Sequence, residues 1–247
     1  MNIHIFDHEE QLYKEAARRI IDLVQDHPKA VLGLATGSSP LGVYKELIKS
    51  FQNHHVTFEQ VTAFNLDEYV GIPSDHPQSY QTFMRNVLFH HLNIDLNNTY
   101  IPCGNKEIIE DEIKRYDKLL SAHAIDLQLL GIGTNGHIGF NEPGTPFDCL
   151  THVVKLDSRT RKDNARFFDH LDSVPTHAIT MGIDSIMKAK EIVLIATGEK
   201  KASAVKAMIR GPIDPIIPAS ILQKHPNVHI YLDHQSAKDL WFFSYKV

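Results

Sequence analysis

The sequence has few of the features that mark membrane, secreted or zinc-binding proteins. No run of apolar residues approaches the about 18 that a membrane-spanning helix needs. Only two cysteines occur in 247 residues, Cys103 and Cys149, and no C-x-x-C pair is formed. This spacing excludes a disulfide framework and a zinc knuckle, so we expect two free thiols.

Signals for nucleic acid, secretion and metal ions are equally sparse. The formal net charge is -5 with scattered lysines and arginines, which indicates no basic surface for nucleic acid. The stretch MNIHIFDHEE has neither the basic region nor the apolar core of a signal peptide, which predicts a cytoplasmic protein. Among 16 histidines H-E-x-x-H is absent, and the pairs at 54–55 and 90–91 are sequence neighbours that point to different faces. We expect no metal site and a small-molecule ligand.

Short apolar runs alternate with amphipathic segments along the whole chain, without a repeat or a long Gly/Ser linker. This pattern predicts an α/β fold, a single-domain three-layer αβα sandwich with a mostly parallel, Rossmann-like doubly wound sheet over residues 1–247. Strands are predicted at 2–6, 30–35, 61–66, 125–132, 177–181, 191–196 and 228–232. Helices are predicted at 8–26, 40–52, 78–92, 107–122, 159–169, 199–209 and 219–224. In such sheets ligands bind beyond the carboxyl ends of the strands.

The first polar loop follows the strand at 30–35 and reads Thr36-Gly37-Ser38-Ser39, before Pro40 opens a helix. Glycine lets the backbone approach a ligand, hydroxyls donate hydrogen bonds, and the helix N-terminus adds free N–H groups. These features suit a phosphate cradle. The lysine of G-x-x-x-x-G-K-[ST] is absent, so the loop does not bind a nucleoside triphosphate in the P-loop manner. On this stretch alone, a capping turn without a ligand explains the residues equally well.

The second loop, in FNLDEYVG, carries two carboxylates directly after an apolar strand. Asp67 or Glu68, partly removed from water at the end of a strand, is placed to act as a general base with a raised pKa. On this stretch alone, an ordinary polar loop or helix cap is the simpler interpretation.

The third loop, GIGTNGHIGFNEPG at 131–144, contains G-x-G-x-x-G after an apolar run. A dinucleotide-binding turn needs a helix immediately afterwards, and Gly139, Pro143, Gly144 and Pro146 prevent one. Asp157 follows the glycines by about 20 residues, the separation of the ribose-binding acid in dinucleotide-binding proteins. Without the helix, however, the sequence does not match the dinucleotide-binding motif.

This glycine-rich turn instead displays Asn135, His137, Asn141 and Glu142 within eight residues. A histidine between glycines can approach a substrate closely, and a nearby carboxylate or amide fixes its tautomer. The density of glycine and polar groups favours a proton-transfer site over a capped turn with a structural histidine.

With these loops taken together, the sequence resembles the glucosamine-6-phosphate deaminase family, also called glucosamine-6-phosphate isomerase. The resemblance covers nearly the whole chain and is carried, in order, by TGSSP, NLDEYVG, HPQSY, GIGTNGHIGFNEPG, TRKDNARFF and GEKKASAV. It implies a cofactor-free conversion of glucosamine 6-phosphate and water to fructose 6-phosphate and ammonia in amino-sugar catabolism.

The resemblance also implies roles for individual residues. His137, supported by Asn135 and Glu142, is the ring-opening acid/base that protonates O5. Asp67 then takes the proton from C2 and returns it at C1, and the resulting ketimine hydrolyses to release ammonia.

Phosphate recognition is expected to combine residues Thr36, Gly37, Ser38 and Ser39 with two cations, Arg161 and Lys201, since arginine suits a two-pronged contact and lysine a point charge. Arg161 lies in a segment, roughly 151–175, that resembles the family's mobile lid. For Lys201 alone, a solvated residue in the first turn of a helix is the simpler interpretation.

Two departures from the family pattern bear on regulation. Many relatives carry aspartate in the turn G-x-G-x-D-G-H, where this chain has Asn135, which hydrogen-bonds but adds no negative charge. Allosteric hexameric members have a basic run after the N-E-P loop and an extra C-terminal tail, whereas this sequence reads GTPFDCLTHVVKLD there and ends in WFFSYKV. We expect no activation by N-acetylglucosamine 6-phosphate, and a monomer or small homo-oligomer in preference to a hexamer.

Two other functions are compatible with this fold class. A 6-phosphogluconolactonase also has a G-x-G-x-D-G-H turn, but its turn continues toward L-F-P and its earlier loop reads D-E-R, where this chain has FNEP and LDEY. A non-catalytic sugar-phosphate sensor needs a DNA-binding helix-turn-helix, for which the sequence has no room, and has no need of a base such as Asp67.

Overall fold

The structure, a computed structural model, describes residues 1–240. Strands alternate with helices through the described chain, as the periodicity predicts. The strands are β1 Asn2–Phe6, β2 Val31–Leu34, β3 Thr62–Asn65, β4 Asp67–Tyr69, β5 Thr99–Tyr100, β6 Leu127–Gly131, β7 His152–Lys155, β8 His177–Thr180, β9 Glu191–Ala196 and β10 Val228–Asp233. The α-helices are α1 Glu9–Asp26, α2 Leu41–Gln52, α3 Tyr80–Val87, α4 Ile109–Ala122, α5 Ser158–Asn164, α6 Ile183–Met187, α7 Ala202–Arg210 and α8 His234–Ala237.

Seven strands form one parallel sheet in the order β1-β10-β9-β6-β2-β3-β5. From β2 the chain moves outward to β3 and β5, then returns to β6 and moves outward the other way to β9 and β10. The direction therefore reverses between β2 and β6. Ligands of open α/β sheets bind outside the carboxyl ends of the strands at such a switch point.

Helices cover both faces of this sheet, which confirms the predicted three-layer sandwich. Along β9, Val193 and Ile195 pack into one core cluster with α1 and α2, while Ile192 and Leu194 pack into another with α4 and α7. Successive side chains of a strand point to opposite faces, so a strand buried on both faces reads as a continuous apolar run. That is why EIVLIA is recognisable as a strand in the sequence.

A second, three-stranded antiparallel sheet, in the order β4-β8-β7, was not anticipated from the sequence. The strand predicted at 177–181 belongs to this sheet as β8, not to the parallel one. It pairs with β4 in the register Asp67↔Thr180 and so joins the segment after β3 to the segment after the predicted lid. Buried Tyr69, Phe140, Leu156 and Ala178 form its own apolar cluster.

Several element boundaries also differ from the prediction. The helix predicted at 78–92 ends at Val87 and is followed by a 3-10 turn, and the segment predicted as a helix at 219–224 is the 3-10 helix Pro218–Lys224. Strands β4, β5 and β7 have only two to four residues, too few to show a periodicity. The WFFSYKV segment lies outside the described residues. Within residues 1–240, no helix combines the length and the apolar character needed to cross a membrane.

Candidate active site

A cleft opens at the carboxyl ends of β2, β3 and β6, beside the switch point. Loops after three strands of the parallel sheet form its floor and walls, α5 and the residues after it cover one side, and Lys201 approaches from the turn after β9. The lining residues are Ala35, Thr36, Gly37, Ser38, Ser39, Leu66, Asp67, Tyr80, Gly131, Ile132, Gly133, His137, Gly139, Phe140, Thr160, Asp163, Asn164, Arg166, Phe167 and Lys201.

Asp67 is a buried carboxylate at the start of β4, with 5% of its surface exposed. Its side-chain partner is the Thr36 hydroxyl, which donates to Oδ1 at 3.4 Å. Burial, together with the nearby charge of Glu68, raises the pKa of Asp67 to about 8, although the Thr36 hydrogen bond acts in the opposite direction. A carboxylate with a pKa close to neutral is suited to proton transfer.

Glu68 has a different task from its neighbour. Its carboxylate accepts hydrogen bonds from the backbone amides of Tyr69 at 2.8 Å, Tyr80 at 2.9 Å and Gln81 at 3.0 Å. It therefore caps the N-terminus of α3, where the helix dipole favours negative charge. The cap interpretation of this loop applies to Glu68, while Asp67 faces the cleft.

The glycine-rich turn after β6 presents His137 to the cleft. No helix follows within residues 132–151, so the structure rejects a dinucleotide-binding turn. The Gly133 amide donates to the His137 carbonyl at 2.9 Å and closes the turn. A Cβ at Gly133 would lie 2.2 Å from the His137 ring, so only glycine lets the imidazole fold back against the backbone here.

Glu142 anchors this turn from behind His137. Its carboxylate accepts from the Asn135 amide at 2.8 Å and from the Asp157 backbone N–H at 3.1 Å, and its Oε2 lies 3.5 Å from His137 Nδ1. Burial acts to raise the pKa of Glu142, but hydrogen bonds and the charge of His137, with donors from Thr160 and Asn135, outweigh burial and lower it. Glu142 is thus an ionised partner for the imidazole.

Asn135 acts on this network in an indirect way. Its carbonyl oxygen accepts the backbone N–H of His137 at 3.3 Å, and its amide nitrogen holds Glu142. The side chain therefore fixes the turn and the carboxylate, and the carboxylate faces the ring. Asn141, also singled out in the sequence, is fully buried and donates to the carbonyls of Ile138 and Met181, away from the cleft.

The predicted phosphate loop carries two different tasks. Gly37 has a φ of +82°, a left-handed conformation that side chains rarely adopt, and it turns the chain into α2. Beyond it, the Ser38 hydroxyl accepts a hydrogen bond from Arg166 Nη2 at 3.0 Å. Thr36 lines the same cleft and donates its hydroxyl to Asp67, and its predicted phosphate contact stays a prediction.

The charged groups of the cleft are suited to an anion. Lys201 Nζ donates to the Ile132 carbonyl at 2.6 Å, which places the ammonium beside the turn, and burial lowers its pKa although Asp163 acts to raise it. Arg166 brings a second cation from the lid side. Across residues 1–240, no cluster of three or more His, Cys, Asp or Glu side chains is arranged to hold a metal ion.

The structure does not bring Arg161 into the cleft. Its guanidinium Nη2 donates to the carbonyls of Leu171 and Val174, both at 3.0 Å, on the outer side of the lid. Arg161 follows Thr160 by one position, a rotation of about 100° around a helix, so the two side chains leave α5 in different directions. Arg166, in the same TRKDNARFF motif, occupies the place that the sequence analysis gave to Arg161.

Sequence reasoning also missed Tyr80, Thr160 and Asp163, which line the cleft. A signal for two of them was present: positions 160, 163 and 166 are three apart, so Asp163 neighbours both of the others along α5, which Asp157 caps, and the 3-10 turn after it. Tyr80 gave none, because its placement depends on how α3 packs beside β4.

The chain is similar to known proteins over nearly its whole length. Residues 7–230 match the family model described as glucosamine-6-phosphate isomerases/6-phosphogluconolactonase. A glucosamine-6-phosphate deaminase of Lysinibacillus sphaericus is 54% identical over 222 residues, covering 90% of this chain and 94% of the relative. A solved structure described as a monomeric glucosamine-6-phosphate deaminase superposes with a TM-score of 0.95 at 44% identity, covering 97% of this chain and 100% of the other. The 6-phosphogluconolactonase of Trypanosoma brucei, at 19% identity and a TM-score of 0.79 over 97% and 98% of the chains, shares the fold.

Proposed function

Because the chain belongs to the family of glucosamine-6-phosphate isomerases and 6-phosphogluconolactonases, we propose that it converts glucosamine 6-phosphate and water to fructose 6-phosphate and ammonia. It is an enzyme of amino-sugar metabolism with glucosamine-6-phosphate deaminase activity, like its relatives at about half identity over most of the chain. The observation that carries the proposed mechanism is one cleft in which Asp67 and His137 meet a loop and two cations suited to a phosphate.

The substrate's phosphate is the group that fixes the sugar in the cleft. We assign it to the backbone and hydroxyls of Gly37, Ser38 and Ser39, with Lys201 and Arg166 as counter-charges. The contact between Arg166 and Ser38 supports this, because the guanidinium already points at the loop where the phosphate would sit. Charge-assisted hydrogen bonds from arginine to phosphate are about twice as strong as neutral ones.

Ring opening is assigned to His137. Its Nδ1 faces Glu142, which leaves Nε2 for the substrate and stabilises the imidazole when it carries a proton. In the proposed step Nε2 donates that proton to O5 as the C1–O5 bond breaks, while water takes the hydroxyl proton from O1 and the open-chain aldose forms. Asn135 contributes by holding Glu142 in place.

The isomerisation is assigned to Asp67. The carboxylate removes the proton from C2, electrons move to C1–C2, and O1 takes a proton from water, which gives an enolamine. The same carboxyl group then returns the proton to C1 as the nitrogen lone pair forms the double bond to C2. The product is a ketimine with its double bond between C2 and nitrogen, which, protonated, adds water and expels ammonia. Such proton transfers each contribute about 10²–10⁴-fold, and holding the sugar by its phosphate supplies proximity.

We also propose that the enzyme acts as a monomer and without activation by N-acetylglucosamine 6-phosphate. The region after the N-E-P loop lacks the basic run of allosteric members, and the solved relative at 44% identity is described as monomeric. Sedimentation of the purified protein tests the first part, and a sigmoidal rate curve that the acetylated sugar phosphate makes hyperbolic would contradict the second.

The direct test is a coupled assay of ammonia and fructose 6-phosphate from purified protein and glucosamine 6-phosphate. Equal amounts of both products are expected. The same preparation is assayed with 6-phosphogluconolactone, the substrate of the lactonases in the same family. Lactone hydrolysis without ammonia release would overturn the proposal in favour of the other branch of the family.

A further inference from the structure

One face of the lid touches three separate parts of the cleft. Thr160, Asp163 and Arg166 follow one another at intervals of three, which places them in a row along α5 and the 3-10 turn after it. Thr160 reaches the catalytic imidazole, Asp163 reaches the turn that carries it, and Arg166 reaches the phosphate loop. The row therefore spans the cleft from its catalytic end to its phosphate end.

Thr160 is the buried member of the row, with 3% of its surface exposed. Its hydroxyl oxygen lies 3.4 Å from His137 Nδ1, and the hydroxyl is one of the groups that lower the pKa of Glu142. The backbone at the start of α5 adds a further link, because the Asp157 N–H donates to the other oxygen of Glu142. The lid helix is thus joined to the His137–Glu142 pair on the side away from Nε2.

Asp163 makes the second contact. Its Oδ2 accepts a hydrogen bond of 2.8 Å from the hydroxyl of Thr134, which lies between Gly133 and Asn135 in the catalytic turn. Arg166 is one helical turn further on and donates to Ser38 across the cleft. With Asp163 held on the turn, the direction of the Arg166 side chain toward the phosphate loop is set before a ligand is bound.

We propose that Thr160 and Asp163 are positioning residues of the lid: Thr160 orients the imidazole of His137, and Asp163, through Thr134, seats the helix so that Arg166 faces the phosphate. This inference rests on the proposed function for the identity of the ligand. It assigns two separable effects, one on the chemical step and one on substrate binding. The negative charge of Asp163 also favours the protonated form of Lys201, which supports its place beside the phosphate cations.

Kinetics of matched variants separate these effects. Thr160→Val removes the hydroxyl at constant volume and is expected to lower kcat about 10-fold with KM changed less than 2-fold, the size of effect of losing one hydrogen bond. Thr160→Ser restores the hydroxyl and should recover kcat.

Thr134→Val and Asp163→Ala each break the second contact and are expected to raise KM about 3- to 10-fold with kcat nearly unchanged. Asp163→Asn keeps an acceptor for Thr134 and should recover most of this loss.

A second measurement does not depend on activity. Hydrogen exchange of the backbone amides of residues 158–167 in the ligand-free protein should be faster in Thr134→Val and Asp163→Ala, by about the same 3- to 10-fold. Lys162→Ala, an exposed position of the same helix, is the control and should leave exchange and kinetics unchanged.

The outcomes are distinguishable. Wild-type exchange and wild-type KM in Thr134→Val would overturn the role of Asp163, and a Thr160→Val variant that raises KM without lowering kcat would overturn the role of Thr160. If the wild-type protein releases no ammonia, the proposed function fails. The exchange experiment then still decides whether Asp163 seats the lid.

Discussion

Two buried carboxylates, Asp67 in the cleft and Glu142 behind His137, have opposite electrostatic surroundings. Their exposed fractions are nearly equal, 5% and 6%. Yet the pKa of Asp67 is raised to about 8, while the pKa of Glu142 is lowered. Burial acts to raise the pKa of both carboxylates, but only at Glu142 do hydrogen bonds and the charge of His137 outweigh it.

Asp67 has one long hydrogen bond from Thr36 and a second carboxylate, Glu68, as its neighbour. Glu142 has an imidazole beside it and donors from a side-chain amide and a backbone N–H. A buried carboxylate without strong hydrogen-bond donors has a raised pKa, whereas a carboxylate with several donors and a positive charge beside it has a lowered pKa. The two carboxylates therefore have different roles: Asp67 is suited to exchange protons, and Glu142 is suited to stay ionised and hold His137.

The largest effect is expected for Asp67→Asn, which removes the base and preserves the volume. Turnover should fall by about 10³–10⁴-fold, because the amide cannot take the proton from C2. Binding should be retained, since the phosphate contacts are untouched. Steady-state kinetics and calorimetric titration with a non-reacting sugar phosphate check this, and near-normal ammonia release would reject Asp67 as the base.

A smaller loss is expected for Glu142→Gln, because an anchor supports the reaction without exchanging protons. The variant removes the charged partner of His137, and charged hydrogen bonds are worth about 1.5–3 kcal/mol, or roughly 10- to 100-fold in kcat. The same assay measures it. A loss larger than that of Asp67→Asn would invert the comparison.

Stability should respond to pH with opposite signs at the two positions. Because the pKa of Asp67 is higher in the folded than in the unfolded protein, ionising Asp67 lowers the stability of the wild type progressively as pH rises from about 4 to about 8. The Asp67→Asn variant should therefore melt at a higher temperature than the wild type at pH 8, and at the same temperature near pH 4. Because the pKa of Glu142 is lower in the folded than in the unfolded protein, its ionised form stabilises the wild type at pH values above its unfolded pKa. The Glu142→Gln variant should therefore melt at a lower temperature than the wild type at pH 8, and the difference should shrink as pH falls below about 4.

We expect differences of about 1–3 kcal/mol, or roughly 2–10 °C, for both variants. Melting curves between about pH 2 and pH 8 measure them, because the Glu142 difference changes only below about pH 4. Curves of the two variants that shift in the same direction with pH would contradict the assignment of one base and one anchor.

The smallest effect concerns the Thr36 hydroxyl. Thr36→Val removes the donor that favours ionised Asp67, so the acid limb of the kcat/KM profile should move to higher pH by up to about one unit, the value of one hydrogen bond. Thr36→Ser is the matched control and should keep the wild-type limb. An acid limb at the wild-type pH in both variants would show that the Thr36 hydroxyl does not influence the pKa of Asp67.

The sequence was sufficient for the sheet and for most of the cleft, for identifiable reasons. Strands such as β9 are buried on both faces and read as apolar runs, and the turn at 131–144 is recognisable by its five glycines and by Pro143. Strands β4, β5 and β7 were missed because they are short and, unlike the equally short β2, do not lie in an apolar run: they read DEY, TY and HVVK. The pairing of β4 and β7 with β8 depends on contacts far apart in the chain.

The error at Arg161 has a similar cause. Arg161 and Arg166 share one motif, and only the direction in which α5 packs on the cleft decides which of them faces the substrate. Spacing from Asp163 offered the clue, because Thr160 and Arg166 each lie three positions from it, about 60° around the helix, whereas Arg161 lies about 160° away. The separate tasks of Asp67 and Glu68, adjacent in sequence, likewise follow from the pleat of β4, which points successive side chains to opposite sides.

The most direct test of this account is a carbon-13 NMR titration of the two carboxyl groups in the ligand-free enzyme, with Asp67→Asn and Glu142→Gln spectra for assignment. The account predicts that the Asp67 carboxyl titrates far above the ordinary range, with a pKa of about 8, and that Glu142 titrates below its ordinary value. An Asp67 that titrates at its ordinary value of about 4, or a Glu142 that titrates above Asp67, would contradict it.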